Sequence, residues 1–233
     1  MRSLLSDRDR LAGDGQAGGM NRLAAMRSLL RLGRSFRRWL LVAGLRLQAA
    51  AKGAKVEFSA APDLVLGRDV RILVESRSRN RIVAGPGCRI EDGVRILMRG
   101  GTLLLGPGAS IRRGSVLKVS GELELEGENV IGYYNVVHCA ERIVLGRHSF
   151  LTEFVTIVDS RHFHDAAHSP IHHNVQTAPI RIGRNVWVCA KASVLMGVTI
   201  GDEAVVAAHA VVKDDVPAGS VVAGIPAQVV RQR

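Results

Sequence analysis

The chain has 233 residues, 47% of them hydrophobic but only 4% aromatic, with 25 glycines, 7 prolines and a formal net charge of +11. That length holds one sizeable domain or two small ones, and with so few aromatics the core must be built from Val, Ile, Leu and Ala. Residues 1–60 carry twelve Lys and Arg against four Asp and Glu, a balance of +8, which leaves +3 for residues 61–233; the main domain therefore shows no nucleic-acid footprint. Cys88, Cys139 and Cys189 are odd in number and widely spaced, which fits neither a disulfide framework nor a structural zinc site. The start of the chain lacks an apolar signal core, and no apolar run is long enough to span a bilayer, so a cytoplasmic location is expected.

Residues 1–19 are polar and Gly-rich and are expected to be disordered. Residues 20–55 are expected to hold a basic amphipathic helix. Leu29, Leu32, Phe36, Leu40, Ala43 and Leu47 follow helical spacing, and Arg27, Arg31, Arg34 and Arg38 form another face. The stretch 21–48 carries seven arginines and no acid. Such a helix either lies on an anionic membrane surface at the cytoplasmic side or packs on the following domain with its arginines solvated.

Residues 62–220 follow a period of six. Ile182, Val188, Val194, Ile200, Val206 and Val212 are spaced six apart, and the fifth place of each hexad, at Val186, Ala192, Val198, Ala204 and Ala210, is small or aliphatic. The same spacing joins Leu105, Ile111, Leu117 and Leu123; then Leu125, Ile131, Val137 and Ile143; then Leu145, Leu151 and Ile157. Neither a helix nor a plain strand requires that period. A coil of three short strands does, because one side chain per face must point inward and stack on the next coil, and about seven coils fit. Aliphatic–Gly pairs mark the coil starts at Leu66-Gly67, Ala84-Gly85, Leu105-Gly106, Leu145-Gly146, Ile182-Gly183 and Ile200-Gly201. The expectation is that these glycines supply positive φ at tight corners.

The register breaks between Ile157 and Ile182, whose separation is not a multiple of six. A loop over 158–179 is expected to leave the coil near Asp159 and return near Pro179. The stretch Thr156–Asn174 holds five of the eight histidines: His162, His164, His168, His172 and His173. Residues 221–233 form a C-terminal extension in which Gly224-Ile225-Pro226 turns the chain.

The run "APIRIGRNVWVCAKASVLMGVTIGDEAVVAAHAVVKDDVPAGSVVAGIPAQVVR" resembles the hexapeptide-repeat acyltransferases, especially the maltose and galactoside O-acetyltransferases and the polysaccharide O-acetyltransferases related to them. The resemblance implies a left-handed parallel β-helix, a homotrimer and acetyl-CoA as the donor, with a saccharide hydroxyl as acceptor and no metal. The "TIVDSRH" and "TAPIRIGRNVW" stretches place the family's catalytic histidine on His162, with His164 as the rival. A neutral imidazole can take the proton of a sugar hydroxyl as it attacks the thioester, and its ordinary pKa near 6.5 makes that form available. Asp159 is a candidate to orient that ring; a backbone carbonyl would serve equally. By the same resemblance Asn135 joins the active site, while a turn-stabilising role is the structural alternative. The family's donor contacts fall on Ala190, Ala208, Lys213 and Arg231. Lys213-Asp214 departs from the Thr-Lys of relatives, and His209 stands where a glycine is usual. Two further expectations compete: a zinc enzyme of the β-helical carbonic anhydrase type, drawing ligands from His138, His162, His164 and His168, and a non-catalytic β-helical scaffold.

Overall fold

The computed structural model describes residues 33, 35–162 and 175–232. His164, His168, His172, His173 and the 1–32 stretch, with Arg27 and Arg31, lie outside them, as does Arg34. The chain divides into two compact units, Met1–Leu40 and Leu41–Arg233. In the first, the described residues 35–40 are helical; Phe36, Trp39 and Leu40 are exposed, and the Phe36 and Trp39 rings stack at 6.1 Å.

In the second unit residues 41–51 are helical, and their inner stripe is Leu41, Leu45 and Ala49, which join the core cluster. This is not the stripe the spacing favours. Leu47, from the favoured set, is 74% exposed. Both stripes obey helical periodicity, and which one is buried depends on the surface the helix meets. The coil starts at Lys55–Ala60, ahead of the expected residue 62, because "KVEFSA" alternates in burial without showing a hexad.

From there the chain winds through three sheets of seven, nine and seven strands, parallel except for the last strand of the second, and each turn visits each sheet once. The first sheet begins seven coils, at Lys55–Ala60, Arg79–Ala84, Thr102–Leu105, Glu122–Leu125, Arg142–Leu145, Ile180–Ile182 and Thr199–Ile200. Every hexad aliphatic named above from Leu105 to Val212 is buried, at 3% exposure or less. Their stacking is in register: Ile90, Ile111, Ile131, Leu151, Val188 and Val206 form one inner column, each paired with the next. Each fully buried aliphatic contributes about 1.5–3 kcal/mol, so the column, repeated on three faces, supplies most of the apolar stabilisation.

The turns shorten along the axis. Leu66 pairs with Ile90, Ile90 with Ile111, Ile111 with Ile131 and, near the far end, Val188 with Val206, and the separation in sequence narrows at each of these steps. The wider coils have four-residue strands on the first and third sheets, as at Val116–Val119 and Glu122–Leu125. These strands bury two side chains each, Leu117 with Val119 and Leu123 with Leu125. One step is longer than the rest: Leu151 pairs with Val188, which is where the loop is inserted.

The glycines at the coil starts do not have positive φ. That geometry falls two residues later, at Asp69, Gly87, Gly108, His148, Asn185 and Glu203. Gly67, Gly106, Gly146, Gly183 and Gly201 are needed for a different reason: a Cβ at any of them would press into the backbone of the next coil, at Gly106 into the Glu126 carbonyl. The close coil-to-coil approach selects glycine, and the left-handed corners accept Asp, His, Asn and Glu at about 1–2 kcal/mol each.

At the C-terminus Ser220–Gly224 stacks on Val205–Val206, and Ala227–Gln232 returns antiparallel to it, so Gly224-Ile225-Pro226 does reverse the chain.

Candidate active site

The site grows out of the long turn. After Thr156–Val158 the chain leaves the third sheet, and Ser160–His162 pairs antiparallel with Val175–Thr177, Ser160 opposite Thr177 and His162 opposite Val175. Arg161 Nε donates to Gln176 Oε1 at 2.9 Å across this hairpin, and the coil resumes at Ile180. His162 stands exposed at the far end of its strand.

Asp159 sits at the root of the hairpin and is fully buried. Its carboxylate accepts three backbone N–H groups from the corner that leads into Arg142–Leu145: Ala140 at 2.6 Å, Glu141 at 2.8 Å and Arg142 at 3.0 Å. Its own N–H donates to His138 O, and its carbonyl accepts from Ala178 N at 3.0 Å. The structure therefore brings Asp159 next to the histidines but turns its carboxylate toward the backbone at 140–142.

Asn135 also faces inward. It is fully buried; its Nδ2 donates to Thr152 O at 2.8 Å and its Oδ1 accepts from Val155 N at 2.7 Å. Asn129, six positions earlier, does the same with Gly146 O and Gly127 N, and Ser115 and Ser149 donate to Gly132 O and Gly183 O. These four occupy the fifth place of their hexads, the small inward corner. The expectation that Asn135 joins the active site is corrected here, since both ends of its amide are used within the coil. The period contained the signal, because 135 is four past Ile131 just as Val186 is four past Ile182.

His138 faces outward, because Val137 beside it points in. It lies in register with Lys118 on one side and Val158 on the other. Burial, and then the neighbouring cations Lys118 and Arg99 together with His162, hold its affinity for a proton below the usual histidine range; Asp159 opposes them. The patch around His138 thus brings together His162, Arg99 and Lys118, and biases His138 toward its neutral form. Lys118 and Arg99 were missed in the sequence. Laying each coil in register on the one before it finds Lys118 directly, since it then falls opposite His138. Cys139 is buried beside Asp159, and burial first, then that carboxylate, push its thiol up to about 12, so it presents no thiolate near neutral pH.

The donor candidates lie farther along. Ala190 and Ala208 stack at the same corner of successive coils, where His209 N donates to Ala190 O at 3.0 Å. His209 occupies the left-handed place of that corner with φ 61°, and its exposed side chain stands beside Ala208. Lys213 is exposed and paired with Asp214 at 2.7 Å, which leaves that ammonium partly neutralised toward an incoming phosphate. Arg231, also exposed, is on the terminal strand opposite Val221. The structure brings Ala190 and Ala208 together; Lys213 and Arg231 belong to separate segments of the same end of the coil. Among the described residues no three His, Cys, Asp or Glu side chains cluster as metal ligands. No described helix is long and apolar enough to cross a membrane.

The profile of the bacterial transferase hexapeptide (six repeats) family matches residues 179–214. The acetyltransferase WcaF of Escherichia coli strain K12, whose name assigns it to colanic acid biosynthesis, is 31% identical over 132 residues, covering 54% of this chain and 70% of WcaF. Galactoside O-acetyltransferase of the same strain is 39% identical over 69 residues, 27% of this chain and 34% of that enzyme. The chain spans little more than a third of the length of two of its curated relatives, 38% and 34%. The solved structure of the polysialic acid O-acetyltransferase OatWY shares the fold, with a TM-score of 0.62 at 18% identity over 77% of this chain and 87% of that one. The chain belongs to the bacterial hexapeptide-repeat transferase family.

Proposed function

We propose that this protein is an O-acetyltransferase that moves the acetyl group of acetyl-CoA directly to a saccharide hydroxyl, with His162 as general base. The observation that carries this is the hairpin Ser160–His162 with Val175–Thr177, which interrupts an otherwise regular coil and holds one histidine out at its end. The imidazole takes the hydroxyl proton as the oxygen attacks the thioester carbonyl, and thiolate then leaves as the carbon–sulfur bond breaks. Arg99 and Lys118 lend positive charge to the region where an oxyanion or a phosphate gathers. Asp159 acts as a positioning residue, fixing the root of the hairpin. Acetyl-CoA would lie along the corner of Ala190 and Ala208, whose small side chains leave backbone groups open to its amides, with Lys213 and Arg231 toward its phosphates. By family resemblance the unit is a homotrimer.

A thiol-release assay with acetyl-CoA and a panel of sugars tests the reading. Turnover is expected with at least one saccharide, and none with any of them overturns it.

The second unit buries Leu45 and Ala49 and partly covers Leu41 yet leaves Leu47 exposed, and the first unit exposes Phe36, Trp39 and Leu40 beside Arg37. Together with seven arginines and no acid over 21–48, this favours a peripheral seat on an anionic bilayer, where each nearby cation is worth about 1 kcal/mol. Sedimentation with phosphatidylcholine vesicles is expected to leave the protein in solution, and vesicles that also contain phosphatidylglycerol are expected to pull it down in low salt, where surface charge is least screened. Equal recovery with both lipids speaks against it.

A further inference from the structure

Charge is placed unevenly along the axis of the solenoid. Residues 61–115 carry ten arginines against five Asp and Glu, whereas residues 116–233 carry ten Lys and Arg against twelve Asp and Glu. On the first sheet the outward charges neutralise one another: Arg81 meets Glu57 at 3.5 Å, Arg142 meets Glu122 at 3.2 Å and Arg181 meets Glu126 at 4.0 Å. The third sheet differs. Its first four strands, Arg71–Val74, Arg95–Met98, Val116–Val119 and Val136–Cys139, hold no acid and no aromatic residue. Their outward rows read Arg71, Arg95, Val116, Val136 and Leu73, Leu97, Lys118, His138, each residue in register with the next. Arg99 follows the second of these strands and is exposed. Among the described residues Arg71, Arg95, Arg99 and Lys118 make no ion pair, and neither do Asp69 and Glu75, the exposed acids that flank the first strand.

This face leads to the candidate catalytic histidine. Lys118, Arg99 and His162 all act on the His138 imidazole. Three steps of the ~4.8 Å strand spacing separate the strand of Arg71 from that of His138, about 14 Å in all. Past His138 the free charge stops. Thr156, Val158, Ser193 and Val211, the outward residues of the strands that follow, are uncharged, and Lys213 beyond them is paired with Asp214. At the other end Leu73, 41% exposed, stands on the same side of its strand as Arg71, and the half-buried Leu97 does so with Arg95. Gln48 Oε1 accepts from Val74 N at 2.6 Å and Lys52 Nζ donates to Val74 O at 2.8 Å, so the face begins where the chain enters the solenoid.

We infer that this face is the anion site for the acceptor, and that the acceptor is a sugar linked through a diphosphate to a lipid chain. This rests on the transfer reaction proposed above and names the class of its acceptor. An arginine fork meets two phosphate oxygens at once, and Arg71 and Arg95 stand one above the other to take a diphosphate, with Lys118 and Arg99 nearer the sugar. Leu73 and Leu97 give the hydrocarbon an apolar row beside those cations. The one-sided charge speaks against a polyanionic glycan, which would call for cations on both sides of His138. The lack of aromatic rings on the four strands speaks against a nucleotide, whose base gains most by stacking on one. A second copy of this chain would have to bring an acidic face, and on the first sheet Glu57, Glu122, Glu124 and Glu126 are already paired with arginines.

The test titrates farnesyl diphosphate, a diphosphate on a short lipid, into the full chain in low salt and follows the heat of binding, with inorganic diphosphate, UDP and farnesol as comparison ligands. Wild type is expected to bind farnesyl diphosphate saturably and each of the others about tenfold more weakly or worse. Arg71→Ala with Arg95→Ala should weaken the binding by about tenfold or more, the loss expected when hydrogen bonds to a charged group go. Leu73→Gln should weaken farnesyl diphosphate several-fold and leave inorganic diphosphate unchanged. Arg89→Ala, an exposed arginine of the second sheet, should bind like wild type. The substituted side chains are exposed, so thermal melts should barely move. The proposal is overturned if farnesyl diphosphate does not bind, or if the double variant binds it like wild type, which would assign the binding to the basic stretch 21–48 or elsewhere. It is overturned equally if UDP binds as tightly, which would make the acceptor a soluble nucleotide sugar, or if the particle mass of the double variant drops in light scattering, which would make the face a contact between copies. Acetyl transfer to free sugars is measured in parallel. If it persists while lipid diphosphate binding fails, only this site is refuted; if it fails while that binding stands, only the transfer reaction is.

Discussion

His162→Ala is expected to lower kcat for acetyl transfer by about 10²–10⁴-fold, the usual contribution of a general base, with the KM for acetyl-CoA nearly unchanged. His162 is exposed at the end of a two-stranded hairpin and packs against no core column. Its removal should therefore shift stability by no more than about 0.5 kcal/mol, the ordinary range for such surface changes. A loss of rate with an unchanged melting temperature separates chemistry from folding. The rival is His164, outside the described residues, and the paired variants decide between them. If His162→Ala keeps kcat within a factor of three or so of wild type while His164→Ala abolishes it, the base is His164 and the hairpin merely carries the loop. If both variants stay near wild type, base catalysis from this loop is wrong altogether. His138→Gln is the useful control. This imidazole already favours its neutral form near neutral pH, so replacing it with a neutral amide should leave the rate within about tenfold unless it touches the reacting atoms.

Most of the fold was legible because the coil has a strict mechanical requirement. One inward side chain per face must meet its neighbour in the next turn, so the aliphatics recur every six, and the structure buries all of them from Leu105 to Val212. The loop was legible as the failure of that rule, with exit at Asp159 and re-entry at Ile180. The first coil was less so, since "KVEFSA" alternates as any strand does and its turn, which carries Lys55 onto Arg79, is wider than the regular turns that follow. Three misreadings share one cause, that residue type was weighed before position. Asn135 is chemically attractive but stands in the inward fifth place. The coil-start glycines look like turn residues but respond to the next coil's backbone. The helix has two stripes of good spacing, and only contact with the core selects Leu41, Leu45 and Ala49. Lys118 and Arg99 were invisible for a different reason. Their proximity to His138 is created by stacking one whole turn on another, a separation no local motif spans.

Asp159→Ala is expected to be the most destabilising single substitution at the site. The carboxylate is fully buried and is the acceptor for three backbone N–H groups in a row, those of Ala140, Glu141 and Arg142. Those donors lie where the third sheet gives way to the first, at a corner that the neighbouring coil would normally satisfy with a backbone carbonyl. Here the long turn has departed, and Asp159 stands in for that carbonyl. Without it three donors lose a charged acceptor in a place water reaches poorly, at roughly 1–3 kcal/mol for each group left unmet, offset where water enters. A net cost of about 3–5 kcal/mol follows, a large part of the ~5–15 kcal/mol that holds a typical domain. Asp159→Asn keeps the shape but turns one donor toward another, so it should recover only part of the loss. Because a solenoid can open coil by coil, global melting is a blunt readout, and amide exchange at the corner is sharper. The amides of Ala140, Glu141 and Arg142 should exchange at least a hundredfold faster in Asp159→Ala, while those of Val206 and Val212, two coils on, should change little. If the carboxylate instead acted by orienting His162, Asp159→Asn would lose kcat with these amides still protected. That combination would move Asp159 from the root of the hairpin to the reaction itself.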